Sequence, residues 1–370
     1  MKTQHLLLSL VLAAFGLSPM TAAAAEKDKP ATASQRLKER QAPRAKKAPP
    51  KKTQKRLRPS ASPKAGAKPV AKAVPGPRVS TDTESRITRA GDHNFSIQHG
   101  GLARTYRVHV PARYDPATPA PLLVALHGSG RSMEDQANDS YFGLAAKSER
   151  EGFIAVFPGA YGKLGDAGSA AWNAGNCCGS ARDQKVDDVG FIRQVVTNVF
   201  RQLSVDRDRI YATGMSSGAM MAYRLACELP AIFRAVAPVA GTDNTVACTP
   251  GAPVSVLHLH AKNDSNVPFA GGTVQDASDR ARATAFTSVP ETVAKWVKLN
   301  GCSATPRRIL DKAGAYCEAH SWCEGQAEVQ LCVTDSGGHS WPGAKKPAGG
   351  DSPSQALSAP DVMWTFFNRH

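Results

Sequence analysis

The stretch Arg209-Ile-Tyr-Ala-Thr-Gly-Met-Ser-Ser-Gly-Ala-Met-Met-Ala-Tyr-Arg224 constrains the fold more than any other part of the chain. Ile210 to Thr213 reads as a short β-branched and aromatic strand, which runs into Gly214-Met215-Ser216-Ser217-Gly218 and then into a helical run ending near Leu229. A G-x-S-x-G placed between a strand and a helix is a nucleophile elbow: the serine sits on a strained turn, its Oγ stands clear of the sheet, and the helix N-terminus points at developing negative charge. Gly214 and Gly218 lack Cβ atoms, so strand and helix can approach closely enough for the turn to close. Ser216 is therefore the candidate nucleophile. The backbone N–H of Ser217, the next residue, is a candidate oxyanion donor.

Around this turn the chain alternates apolar strands with amphipathic helices. Strands are expected at Thr105 to Val110, Pro121 to Leu126 and Phe153 to Phe157, with a helix near Tyr141 to Arg150. A helix from Asp187 to Leu203 follows, carrying Val189, Ile192, Val195, Val196 and Val199 at helical spacing. After the elbow come strands Ala235 to Val239 and Ser255 to His260, a helix Pro290 to Leu299, a strand Glu328 to Thr334 and a final helix Ala359 to Asn368. This order implies an α/β fold with a mainly parallel sheet covered on both faces, and functional residues at the carboxyl ends of its strands.

Partners for Ser216 should lie on loops after later strands, in the chain order Ser, Asp or Glu, His. The strand ending at His260 leads to Asp264, whose carboxylate can accept from an imidazole. The strand ending at Thr334 leads to His339, preceded by two glycines that let a loop fold sharply. A loop Asp is usually a solvated turn residue and a loop His a surface group, but order and strand-end placement together point to a catalytic triad. The buried run Leu123-Val-Ala-Leu-His127 ends in Gly128-Ser129-Gly130, which places a second oxyanion donor at the N–H of Ser129. For His127 a structural role holding this loop is expected. Asp187 and Asp188 read as capping and dipole-complementing carboxylates; adjacent helix positions diverge, so no metal site is expected, and no cofactor.

Residues 1–25 read as an export signal: Lys2, the apolar run Leu6 to Leu17, then small residues Ala22 to Ala25. The run is too short for a permanent membrane span, so the mature protein is expected to be secreted or periplasmic, without a membrane span, and monomeric. Residues 26–78 hold 17 Lys or Arg against three acidic residues, nine prolines and no aromatic residue. Such a segment cannot bury enough apolar surface to offset its ordering entropy and is expected to be a disordered tether. With Lys2 it accounts for the whole formal charge of +15. The charge therefore says nothing about a substrate pocket. The tether could meet an anionic envelope or polysaccharide surface. Nucleic acid is not expected, because export separates the two and no aromatics interleave with the charges. Residues 79–370 read as one catalytic domain, with all eight cysteines inside it. An even count in an exported chain argues for disulfides. Cys302 with Cys323 and Cys317 with Cys332 are expected to pair beside the His339 loop. Each of the neighbours Cys177 and Cys178 is expected to pair elsewhere.

The motifs Leu126-His-Gly-Ser-Gly130, Trp172-Asn-Ala-Gly-Asn-Cys-Cys-Gly179, Val186-Asp-Asp-Val-Gly-Phe191, Gly214-Met-Ser-Ser-Gly218 and Gly337-Gly-His-Ser-Trp-Pro-Gly343 together resemble the extracellular polyhydroxybutyrate depolymerase and feruloyl esterase family of α/β-hydrolases. The resemblance covers nearly all of residues 90–370 and respects motif order. It implies an α/β-hydrolase fold and a secreted serine esterase with Ser216 as nucleophile, His339 as base and Asp264 as orienting acid. It also implies that Trp172 and Trp341 lie by the substrate cleft, beside the alternative that both only pack irregular loops. Expected substrates are poly(3-hydroxybutyrate) or its oligomers, with feruloyl or acetyl esters of plant polysaccharide as the alternative. The family's appended polymer-binding modules find no counterpart before His370, which keeps soluble esters open. A third reading, envelope binding through the basic tail, needs no catalysis.

Overall fold

All seven residues of Ala120–Leu126 are buried, and their side chains alternate between two apolar cores. Leu122, Val124 and Leu126 enter one core and Leu123 and Ala125 the other. A strand covered by helices on both faces requires such an unbroken apolar run. The computed structural model describes residues 87–162, 170–275, 283–346 and 350–370. The proposed signal, 1–25, and tether, 26–78, lie outside the described residues.

The chain runs β1 (Gly91–His99), β2 (Leu102–Val110), β3 (Ala120–Leu126), α1 (Met133–Gln136), α2 (Leu144–Glu151), β4 (Ile154–Pro158), α3 (Gly179–Asp183), α4 (Asp188–Gln202), β5 (Val205–Met215) and α5 (Ser217–Glu228). It continues through β6 (Ala235–Val239), β7 (Ser255–Ala261), β8 (Gly272–Gln275), β9 (Ala283–Phe286), α6 (Val289–Leu299), β10 (Arg307–Lys312), β11 (Ala315–His320), β12 (Val329–Thr334) and α7 (Ala359–Phe367). Ten strands form one sheet in the order β1-β2-β4-β3-β5-β6-β7-β12-β11-β10. The central strands β4, β3, β5, β6, β7 and β12 are parallel. Antiparallel pairs β1–β2 and β10–β11 extend the two edges. Helices α4, α5 and α6 cover one face, α2 and α7 the other. This is the α/β-hydrolase architecture. Among the described residues no helix is long and apolar enough to cross a membrane.

Local chemistry sets the element ends. Ser288 and Glu291 form a capping box that starts α6, with Pro290 in its first turn. Gly143 takes φ 67° and delays α2 until Leu144, so Tyr141 and Phe142 stay outside the helix that the apolar pattern suggests. The edge strands β1 and β10 escaped the sequence reading because they bury little: β10 is exposed at five of its six positions, and a strand of this kind carries no apolar run.

One expectation is extended and one corrected. Asp187 caps α4, its carboxylate accepting from Gly190 N–H at 2.9 Å; Asp188 stands in the first turn as expected, but its carboxylate is also committed to partners in the core. It is fully buried, 2.7 Å from Arg104 Nη2, and also accepts from Asn173 N–H at 2.8 Å. A carboxylate turned into the core needs both partners to offset its lost hydration. The correction concerns cysteines. Cys302–Cys323 and Cys317–Cys332 pair as expected, and Cys227–Cys248 ties the end of α5 to the loop after β6. Cys177 and Cys178 bond to each other across a cis peptide bond. With the other six thiols satisfied near their own elements, the adjacent sulfur is the one partner within reach of each.

Candidate active site

Ser216 sits between β5 and α5 with φ 58° and ψ −122°, a left-handed conformation that a non-glycine residue holds only under constraint. The constraint is visible on every side. Ser216 N–H donates to Val239 O at 3.0 Å. A Cβ at Gly214 would lie 2.7 Å from Leu126 O and 2.5 Å from the Gly218 carbonyl carbon, and one at Gly218 would strike Leu126 O outright. Gly241, which sequence reading passed over, allows the loop after β6 to pass against Ser216 O in the same way.

The loops after β7 and β12 converge because those strands are neighbours. His339 Nδ1 lies 2.8 Å from Asp264 Oδ2. Asp264 Oδ1 accepts from the N–H groups of Asn266 and Val267, each at 2.9 Å. Burial acts to raise the Asp264 pKa, yet hydrogen bonds from His260 and His339 outweigh it and hold the carboxyl well below the usual carboxylate range. An ionised carboxylate only accepts, so His339 Nδ1 carries the proton and Nε2 offers a lone pair. Gly337 and Gly338, at φ 121° and 54°, bend the loop that carries the imidazole. Asn263 Oδ1 accepts from Gly338 N–H at 2.9 Å, and Asp351 Oδ2 accepts from His339 N–H at 2.8 Å. Neither of these anchors stands out in the sequence, since both are isolated loop residues whose partners are backbone groups far along the chain.

Ser216 and His339 border one cavity of about 440 Å³. Ser217 and Ser129 border it too, the latter through Gly128, where a Cβ would lie 3.4 Å from Ser216 Cβ. The Gly128 loop is pinned by His127: Nδ1–H donates to Gly128 O at 2.8 Å, and Nε2 accepts from Ala160 N–H at 3.0 Å. Burial lowers the His127 pKa to about 4, so its ring is neutral and structural, as expected. The remaining walls are mixed: Phe142, Met215, Met220, Val274, Phe286 and the Cys177–Cys178 disulfide stand beside the polar Asn266, Gln275 and Thr284. Arg131 is the one fixed charge among the described lining residues.

Trp172 and Trp341 do not line this cavity. Trp172 is fully buried, donating from its indole to His127 O at 2.8 Å, and Trp341 is buried edge-on against Phe142, with ring centroids 5.1 Å apart. Each indole supports a wall or loop of the site from behind, which is the packing alternative. Among the described residues no group of three or more His, Cys, Asp or Glu could hold a metal ion.

Comparison with known proteins bears on this site. Residues 106–280 match the model of a family described as Esterase PHB depolymerase. The chain is 30% identical over 237 residues to feruloyl esterase B of Piromyces equi, across 63% of this chain and 42% of that one. It thus spans less than half the length of that relative. It is 29% identical over 270 residues to feruloyl esterase C of Emericella nidulans, across 71% of this chain and 83% of that one. Acetyl xylan esterase from Aspergillus awamori superposes with a TM-score of 0.49 at 15% identity, covering 74% of this chain and 99% of that chain. Over residues 106–280 the chain is thus similar to the esterases of the polyhydroxybutyrate depolymerase family, and over a longer stretch to feruloyl esterases.

Proposed function

We propose that this chain is an exported serine esterase that cleaves short 3-hydroxyalkanoate esters by way of an acyl-enzyme. The reading is carried by the 2.8 Å His339–Asp264 pair opening onto the same cavity as the strained Ser216. Ser216 Oγ attacks the ester carbonyl while His339 Nε2 takes its proton, and the Asp264 carboxylate stabilises the imidazolium. The N–H groups of Ser217 and Ser129 receive the oxyanion, each worth roughly 3 to 4 kcal/mol in comparable sites. His339 then protonates the leaving alcohol, and water repeats the sequence to free the acid. The four disulfides suit an oxidising compartment, in agreement with export.

Arg131 supports the acyl preference. As the one fixed charge among the described lining residues, this guanidinium favours a substrate with a carboxylate a short distance from its ester, as the free-acid end of a hydroxyalkanoate oligomer provides. A feruloyl ester is the second reading. The aromatic and methionine walls, Phe142, Phe286 and Met220, fit a flat aryl acid, and two relatives carry that activity in their names.

The test is turnover by the purified protein on a 3-hydroxybutyrate dimer, its methyl ester, amorphous polymer, methyl ferulate and a nitrophenyl butyrate. Ser216→Ala should cut turnover on every cleaved substrate by about 10³-fold or more. Retained turnover in that variant removes Ser216 from the mechanism, and a ferulate preference selects the second reading.

A further inference from the structure

Behind Asp264 runs a chain of buried side chains that the triad does not use. Tyr223 OH lies 2.7 Å from His258 Nδ1, and His258 Nε2 lies 3.0 Å from His260 Nδ1. His260 Nε2 lies 2.8 Å from Val267 O and 3.4 Å from Asp264 Oδ2. His258 and His260 are two residues apart on β7, so their rings share the face covered by α5 and α6, and both are buried, as is Tyr223.

One carbonyl fixes the far end of the chain. Val267 O can only accept, so His260 Nε2 carries a proton. Burial keeps the His258 ring neutral, and in the His260 tautomer whose single N–H faces Val267 O, His260 Nδ1 accepts from His258 Nε2–H at 3.0 Å. His258 Nδ1 then accepts from the Tyr223 hydroxyl. Burial holds His258 well below the usual imidazole range and Tyr223 well above the usual phenol range, so neither changes state near neutrality. In that tautomer every donor points toward the loop of Asp264. The nearest further charges, Asp243 and Lys295, pair with each other at 2.9 Å, and Asp243 also accepts from Trp296 Nε1 at 2.9 Å.

We infer that Tyr223, His258 and His260 are positioning residues for the acid: the chain links the nucleophile's helix α5 to the Asp264–Val267 loop and fixes the Asp264 carboxylate where His339 can use it. The inference rests on the triad reading and extends it. Tyr223 lies seven residues after Ser216 on the helix that the elbow starts. His260 reaches the other end of the connection, sharing its one N–H between the loop carbonyl and the carboxylate. A shift of about 1 Å in the imidazole axis is enough to cost roughly 100-fold in rate, so a fixed acid loop has a kinetic value separate from stability.

The experiment compares His260→Gln with His260→Asn. The Gln amide reaches the position of Nε2 and keeps a donor toward Val267 O and Asp264; the shorter Asn amide reaches only the position of Nδ1. Both bury a polar amide in place of the ring. For a positioning role, His260→Asn lowers kcat by roughly 10- to 100-fold with KM nearly unchanged, and His260→Gln recovers most of that loss. Equal kcat in the two variants, or losses that simply follow thermal stability, overturn the inference. If His260→Asn does not fold, Tyr223→Phe removes only the oxygen at the head of the chain and should lower kcat several-fold at constant KM; kcat within about twofold of the parent overturns it. A readout independent of turnover is the hydrogen-bonded Nδ1 proton of His339 in ¹⁵N-edited NMR spectra. It should persist in His260→Gln and be lost or displaced in His260→Asn, and its persistence in both variants counts against the inference. Ser216→Ala, assayed in parallel, separates the two failures: parent turnover without Ser216 dependence ends the triad reading, whereas Ser216-dependent turnover indifferent to His260 ends this one.

Discussion

At Ser216 the backbone dihedrals, the bare Cα atoms of Gly214, Gly218 and Gly241, and the opening onto the cavity are one arrangement, because the strain at φ 58° persists only while main chains crowd the turn from three directions. The proposed specificity also belongs to the residue scale. Arg131 lines the cavity that holds Ser216 and His339, so the proposed carboxylate contact can be tested on its own. Arg131→Gln should raise KM for a 3-hydroxybutyrate dimer about tenfold or more, the usual worth of one charge-assisted hydrogen bond, and leave KM for its methyl ester unchanged. Equal effects on acid and ester would show that Arg131 does not read the carboxylate. Ser216, Asp264 and His339 were legible in the sequence because each follows a strong apolar strand and the three stand in the expected order. Arg131 was not, since a lone basic residue in a Gly-rich turn reads as a solvated charge until the cavity is seen.

Among the elements, β12 carries the greatest burden. It is buried along its whole length, pairs in parallel with β7 and antiparallel with β11, and ends at the His339 loop. Cys317 and Cys332 sit directly opposite in the β11–β12 register, so their disulfide pins this pair. The bond closes a loop of 15 residues. Removing it by Cys317→Ser with Cys332→Ser should cost about 3 kcal/mol in denaturant unfolding, with KM of the folded variant retained. A loss below about 1 kcal/mol would mean that strand pairing alone holds the edge. The central strands and long helices were readable from apolar periodicity. The exposed strands β1 and β10 and the β8–β9 hairpin that helps wall the cavity were not, because half-exposed antiparallel strands carry little apolar signal.

For the molecule as a whole, acid stability follows from imidazoles buried in neutral form. His127 has a pKa of about 4 in the fold against about 6.5 free, so the unfolded chain binds this proton first. Its contribution is therefore fully present above about pH 6.5 and declines as the pH falls to about 4, by about 3 kcal/mol. His258, also held low by burial, acts in the same direction. Urea unfolding of His127→Gln between pH 4 and 7 should show a shallower dependence than the parent; identical slopes would mean that His127 is not neutral in the fold. The sequence by itself determined the alternation of buried strands and helices, the glycines that an elbow needs, and the order of the three catalytic candidates. These are local properties, written in periodicity and in the conformations that particular residues allow. Only the tertiary structure decided the rest: that β7 and β12 lie side by side and bring Asp264 within 2.8 Å of His339, that Cys177 bonds Cys178, that Trp172 and Trp341 support the site from behind, and that Tyr223, His258 and His260 line up behind the acid. Those outcomes depend on strand order and register, which bring together groups from distant parts of the chain, and no local pattern encodes such a meeting.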